Sequence, residues 1–154
     1  MSNYIRVERI PYEEPYHINL IWRASNGSVS TRFEYYANAG SLKEIAERLE
    51  SFPQNSRDVY LYELGSEKPE DKFAYYFRLR AFTTNLLGKT ALQVRFNNNE
   101  DLPNREVVEF CIQAEPSAIN RLGELFRKFA NLNQEYLAWS DSESFIGDKS
   151  EYEQ

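Results

Sequence analysis

The chain has 154 residues, 42% hydrophobic and 15% aromatic, with a formal charge of −6, which makes it a single domain able to bury roughly 70% of its unfolded surface. Its one cysteine, Cys111, excludes an intrachain disulfide and a cysteine-built zinc site. No apolar stretch approaches the roughly 20 residues of a membrane span.

The start, MSNYIRVERIPYEEPY, has no apolar signal segment, and with the cysteine usage this predicts a cytoplasmic protein that meets no membrane. Within it PYEEPY reads as a Pro-bounded loop with Glu13 and Glu14 in solvent. Residues 17–24, HINLIWRA, alternate, with Ile18, Leu20 and Trp22 on one face. Residues 29–37 do the same with Val29, Thr31, Phe33, Tyr35 and Ala37. Between them SNGS predicts a hairpin, with Asn26 and Gly27 taking the positive φ values of a type I′ turn.

The next segment, SLKE, reads as a capping box that starts a helix at Ser41, with Leu42, Ile45, Leu49 and Phe52 as its apolar stripe and Pro53 as its stop. Strands follow at 57–64, 72–83 and 89–97, then the loop NNNEDLPN and a strand at 105–113. A second amphipathic helix opens at Pro116 and carries Ile119, Leu122, Phe126 and Phe129. After Trp139 the chain turns polar and acidic, with five acids against one base in residues 141–154. The expectation is a single domain over 1–139 and a mobile acidic tail over 140–154.

A shift of 77 residues superimposes Phe33 on Phe110, Tyr35 on Ile112, Leu42 on Ile119, Ile45 on Leu122, Leu49 on Phe126 and Phe52 on Phe129. Any strand followed by a helix on its sheet needs this pattern. A true duplication would instead set the two helices side by side about a pseudo-twofold axis, on one sheet face.

Two helices and about six strands joined by short loops predict an α+β fold: a single, mostly antiparallel sheet with both helices on one face. In FAYYFRLRAF, residues 73–82, alternation then sends Phe73, Tyr75, Phe77 and Leu79 toward the helices. Tyr76, Arg78, Arg80 and Phe82 point the other way, joined by Gln93 and Arg95 from the next strand.

Catalytic chemistry finds little to work with. The lone histidine, His17, lies opposite the apolar row of its strand, so a hydrolytic triad or a multi-histidine metal site has no basis. Nothing around Cys111 is basic enough to depress its thiol, and the Asn97–Asp101 run lacks the spacing and glycine of a calcium loop. Neither a cofactor nor a metal is expected, and the chain reads as a non-enzyme.

The row Tyr76, Arg78, Arg80, Phe82, Gln93 and Arg95 is the candidate partner surface, since Arg and Tyr combine flat apolar area with directional hydrogen bonds. On the competing view Arg78 and Arg80 pair with cross-strand acids such as Glu63 or Glu109 on a solvated face. The folded part is close to neutral, which speaks against nucleic acid as the partner. A small-ligand or enzyme pocket under the sheet, lined by Tyr and Trp, and a homodimer that buries the open face are the alternatives.

The order of elements over residues 17–131, and above all the segment EFCIQAEPSAINRLGELF, resembles the WapI-type bacterial immunity proteins and their uncharacterised relatives. What that resemblance implies is a single-domain cytosolic protein that binds and neutralises a cognate toxin, with neither catalysis nor cofactor. It carries over no residue-level site.

Overall fold

The computed structural model describes residues 3–14 and 16–154, and of Tyr12 and Glu13 the backbone. Nine strands and three α-helices follow in the order β1 (Tyr4–Glu13), β2 (His17–Ser25), β3 (Ser30–Ala37), α1 (Ala39–Glu50), β4 (Val59–Gly65), β5 (Tyr76–Thr83), β6 (Thr90–Asn97), β7 (Val107–Ala114), α2 (Pro116–Phe129), β8 (Tyr136–Trp139), β9 (Ser144–Gly147) and α3 (Lys149–Tyr152). The class is α+β and the pairing antiparallel, as expected. The single six-stranded sheet is replaced by two: a five-stranded sheet ordered β3-β2-β1-β8-β9 and a four-stranded sheet ordered β4-β5-β6-β7.

The difference lies in long-range pairing. The predicted strands pair with their chain neighbours, but β3 and β4 do not pair, and the first sheet is completed by β8 lying against β1, with Ile5 opposite Trp139. The stretch from residue 4, in which only PYEEPY is read from sequence, as a loop, is therefore a central strand. Ile5 and Val7 alternate inward, and the third inward residue is Arg9, 8% exposed. Its guanidinium is satisfied by the Gln134 and Leu132 carbonyls and by Glu14. Glu14 is thus paired rather than free in solvent, while the Glu13 side chain and Pro15 lie outside the described residues.

Local signals are redistributed in two places. Loop residues 26–29 join β2 to β3, but only Gly27 takes positive φ, at 91°. Asn26 instead accepts from the Ser28 and Val29 amides through its side chain. The cap of α1 is Asn38, whose side-chain Oδ1 accepts from the Ser41 amide at 2.8 Å, so the helix begins two residues before Ser41 and the Ser41 hydroxyl supports the cap.

Segment 140–154, expected as a tail, carries β9 and α3. Tyr152 packs on Tyr136 and Phe145, with ring centroids 5.4 and 5.2 Å away. The Arg6 guanidinium lies 5.4 Å from the Tyr152 ring, and Lys149 reaches Glu8 at 3.1 Å. All four residues of β8 are buried because α3 covers one of its faces and α2 the other, where the Trp139 indole donates to the Ala118 carbonyl. The outer face of the five-stranded sheet is therefore partly covered by its own C-terminal segment.

The inner faces of both sheets and the two long helices close on one core. At its centre Trp22 meets Phe33, Phe77 and Phe126 at centroid distances of 5.2–5.9 Å, in the space where the alternative reading set a Tyr- and Trp-lined pocket. The helices pack side by side as a duplication requires, though their strands belong to different sheets. Residues 77 apart touch each other at the crossing: Gly123 sits against Ala46, and Arg127 pairs with Glu50 at 2.5 Å. Strands β3 and β7, also 77 apart, share one burial pattern.

The Tyr35 hydroxyl and the Trp22 indole N–H are buried without a partner in hydrogen-bond geometry. Burial pushes the Tyr35 hydroxyl well above its ordinary range; Tyr62 adds to this, and the Trp22 indole, which stands near it outside bonding geometry, takes part of it back. A buried hydroxyl without a partner costs free energy. Tyr35→Phe is therefore expected to leave stability unchanged or raise it by up to about 1 kcal/mol, read as a urea midpoint that does not fall.

Candidate functional site

The outer face of the four-stranded sheet is built by alternation. Strands β5 and β6 turn Leu79, Ala81, Leu92 and Val94 inward, all 0% exposed, so the residues between them must face out. The register aligns these into rows across the strands. One reads Glu63, Arg78, Arg95, Glu109; the next reads Leu61, Arg80, Gln93, Cys111; beyond it Val59 and Phe82 stand opposite each other. All six residues of the expected partner row lie on this one face.

They do not share one role. Tyr76 is only 4% exposed; its hydroxyl donates to Glu63 at 2.6 Å and accepts from the Arg78 Nε at 2.9 Å. Burial raises the Tyr76 hydroxyl, and its bond to the Glu63 carboxylate raises it further against the opposing effect of Arg78. Arg78 also reaches Glu109 at 3.8 Å. Arg95 holds Glu67 through two nitrogens, at 3.0 and 2.7 Å, and Glu109 at 3.3 Å. The Arg95 bond holds the Glu67 carboxyl below its ordinary range, and burial only partly opposes it.

The cross-strand pairing view, made for Arg78 and Arg80, therefore holds for Arg78 through Glu109 and fails for Arg80, while Arg95, which it did not include, is paired as well. Pairs this exposed contribute about 0–1 kcal/mol each, and their consequence is orientation. Arg80 differs: its guanidinium lies 4.5 Å from the Phe82 ring centroid and has no ion pair among the described residues. Gln93, its neighbour, has a buried side-chain oxygen with no partner.

Apart from Gln93, the outward neighbours of Arg80 on the side away from Arg78 are apolar. Leu61 and Val59 are each 47% exposed and Cys111 is exposed, and with Phe82 they make one half of the face apolar around a single unpaired cation. The Cys111 thiol is raised by burial first and by Glu109 second, with Arg80 opposing, so it is a neutral surface thiol. Leu61 and Val59 were missing from the sequence-derived row although the signal is present: Tyr60 and Tyr62 claim the inward positions of β4 and leave apolar residues at its outward ones, which a solvated face does not require.

His17 is exposed at the first position of β2. Phe73, expected inward, precedes β5 and is 53% exposed. The NNNEDLPN loop is a clamp: Asn99 donates to the Ser66 and Phe73 carbonyls, and Asn97 donates to Glu67. Among the described residues no group of three or more His, Cys, Asp or Glu is placed to hold a metal ion, and no helix is long and apolar enough to cross a membrane.

No family model matches the chain and no curated protein is similar to it. Among solved structures it is similar to one described as "Structure of the plant transcriptional regulator PBF-2", with 8% identity, a TM-score of 0.48, and coverage of 84% of this chain and 76% of that one. At that level of similarity neither fold nor function transfers.

Proposed function

We propose that the chain is a non-catalytic, cytoplasmic protein-binding module that meets its partner through the Arg80 half of the open four-stranded sheet. The observation that carries this reading is Arg80 itself, stacked on Phe82, without an acid partner among the described residues, with Leu61 beside it and Val59 and Cys111 on the same face. An arginine in an apolar surround is the composition of an interface centre. Its complement is a partner carboxylate set among apolar side chains. The resemblance to WapI-type immunity proteins names a cognate toxin as the first partner class to try.

The charge pattern favours a different protein over a second copy. The row Glu63, Arg78, Arg95, Glu109 reads acid, base, base, acid from either edge. A copy laid face to face and centred on that row sets arginine on arginine and glutamate on glutamate, which opposes association.

Cys111 provides the test, because the chain's one thiol is exposed on this face. A photo-crosslinker attached there is expected to capture a partner that Arg80→Glu loses, with affinity reduced about 30-fold, the 2 kcal/mol expected of an interface arginine. The same crosslinker at Ser28→Cys in a Cys111→Ser background is expected to capture nothing. Equal capture from both positions, or full affinity in folded Arg80→Glu, overturns the reading.

A further inference from the structure

At the Tyr76 and Asn97 end of the same sheet, the β4–β5 and β6–β7 loops enclose a cleft of about 630 Å³, within the range of small-molecule sites. Its frame is fixed before any ligand arrives. Glu67 from one loop is held by Arg95 and Asn97, and Asn99 from the other returns two bonds to the first loop.

Two of its lining residues, Lys72 at φ 57° and Asn99 at φ 55°, keep left-handed backbone. At Lys72 it caps the turn Pro69–Asp71, with the Lys72 amide on the Pro69 carbonyl at 3.2 Å, and asparagine adopts it readily.

Within the frame stand three cations with no ion pair among the described residues: Lys68 and Lys72 on one wall and Arg105 on the other. Arg105 spends only its Nε, on the Glu100 carbonyl. The acids of the lining are Glu67, already held by Arg95, with Glu100 and Asp101 on the far loop, so cations outnumber acids four to three. Between the walls the exposed Phe73 ring and Val107 supply apolar area.

We propose that this cleft binds a small anion carried on a flat apolar body, an aromatic carboxylate or an aromatic phosphate monoester. The charge sits at Lys68, Lys72 and Arg105, and the ring lies against Phe73 and Val107. The unpaired cations attract the anion, and the ring gains offset contact with Phe73 that a bare anion cannot make. This site rests on the loop frame and is independent of the Arg80 interface.

The test is an amide NMR titration of the full chain with phenyl phosphate, benzoate, inorganic phosphate and benzyl alcohol. Phenyl phosphate or benzoate is expected to shift amides of residues 67–73 and 97–107 saturably, binding at least tenfold more tightly than inorganic phosphate or benzyl alcohol. Response to only one of the two aromatic anions supports the site and identifies the anion.

The double variant Lys68→Gln, Lys72→Asn is expected to weaken that binding at least tenfold with the remaining spectrum unchanged; asparagine tolerates the left-handed backbone at 72. Arg80→Glu is expected to leave it unaltered, which separates this test from that of the partner face. No response to either aromatic anion at millimolar concentration overturns the proposal. So does undiminished binding in the double variant, or inorganic phosphate binding as tightly as phenyl phosphate.

Discussion

Gly123→Ala is expected to destabilise the protein by about 1–3 kcal/mol, even though alanine is better than glycine in a helix interior by about 1 kcal/mol. A Cβ at this position would lie 2.6 Å from the Glu50 amide nitrogen, 2.9 Å from the Glu50 Cγ and 3.0 Å from the Ala46 carbonyl oxygen. Two of those atoms are backbone of α1, so no rotamer change relieves the contact and the helices must separate. Separation strains the Asn120 side-chain bonds to the Leu49 and Phe52 carbonyls, at 2.9 and 2.6 Å. Gly40→Ala, which meets only the Asn38 side chain at 3.1 Å, is the contrasting case and is expected to change stability by less than about 0.5 kcal/mol. Urea unfolding of the two variants compares them directly. A Gly123→Ala midpoint at or above wild type would mean that the helices do not cross at this position.

The same crossing marks where sequence pattern informs and where it stops. The 77-residue echo located the two strand-to-helix units, and α1 and α2 do lie against each other at equivalent positions. What the echo could not carry is which sheet each strand joins. Alternation fixes the two faces of a strand and hairpin loops fix its neighbour in the chain, but the pairing of β1 with β8 spans most of the sequence and leaves no local trace. β1 hides its period because its third inward residue is Arg9, bonded to backbone carbonyls. β8 hides its own because α2 and α3 bury it on both faces, so YLAW has no polar side to alternate with. The candidate face was legible for the same reason the fold was only partly so. Tyr76, Arg78, Arg80, Phe82, Gln93 and Arg95 lie in strands that pair with chain neighbours. Their division into a self-paired half and an apolar half depends on Glu67, Glu109, Val59 and Leu61, brought alongside by register and by a loop.

Phe77→Ala is expected to cost about 3–5 kcal/mol, a large share of the 5–15 kcal/mol that holds a typical domain. Phe77 belongs to the four-stranded sheet, yet its ring lies 5.2 Å from Trp22, 5.1 Å from Phe33 and 4.9 Å from Tyr35, all in the five-stranded sheet. Among the described residues no backbone ladder joins the two sheets, so their relative position depends on ring contacts of this kind, each adding about 0.5–1.5 kcal/mol beyond the area it buries. Truncation to alanine leaves those three rings facing a void that a close-packed interior does not refill. Phe82, five residues on in the same strand, is expected to behave in the opposite way. It faces out, so Phe82→Ala should cost less than about 1 kcal/mol while removing the ring that supports the Arg80 guanidinium, and with it partner affinity. Calorimetric unfolding together with partner affinity for the two variants separates core from interface within one strand. Equal destabilisation by both would mean that Phe82 is buried by an element packed on the outer face, and the open face assigned to the partner would not exist.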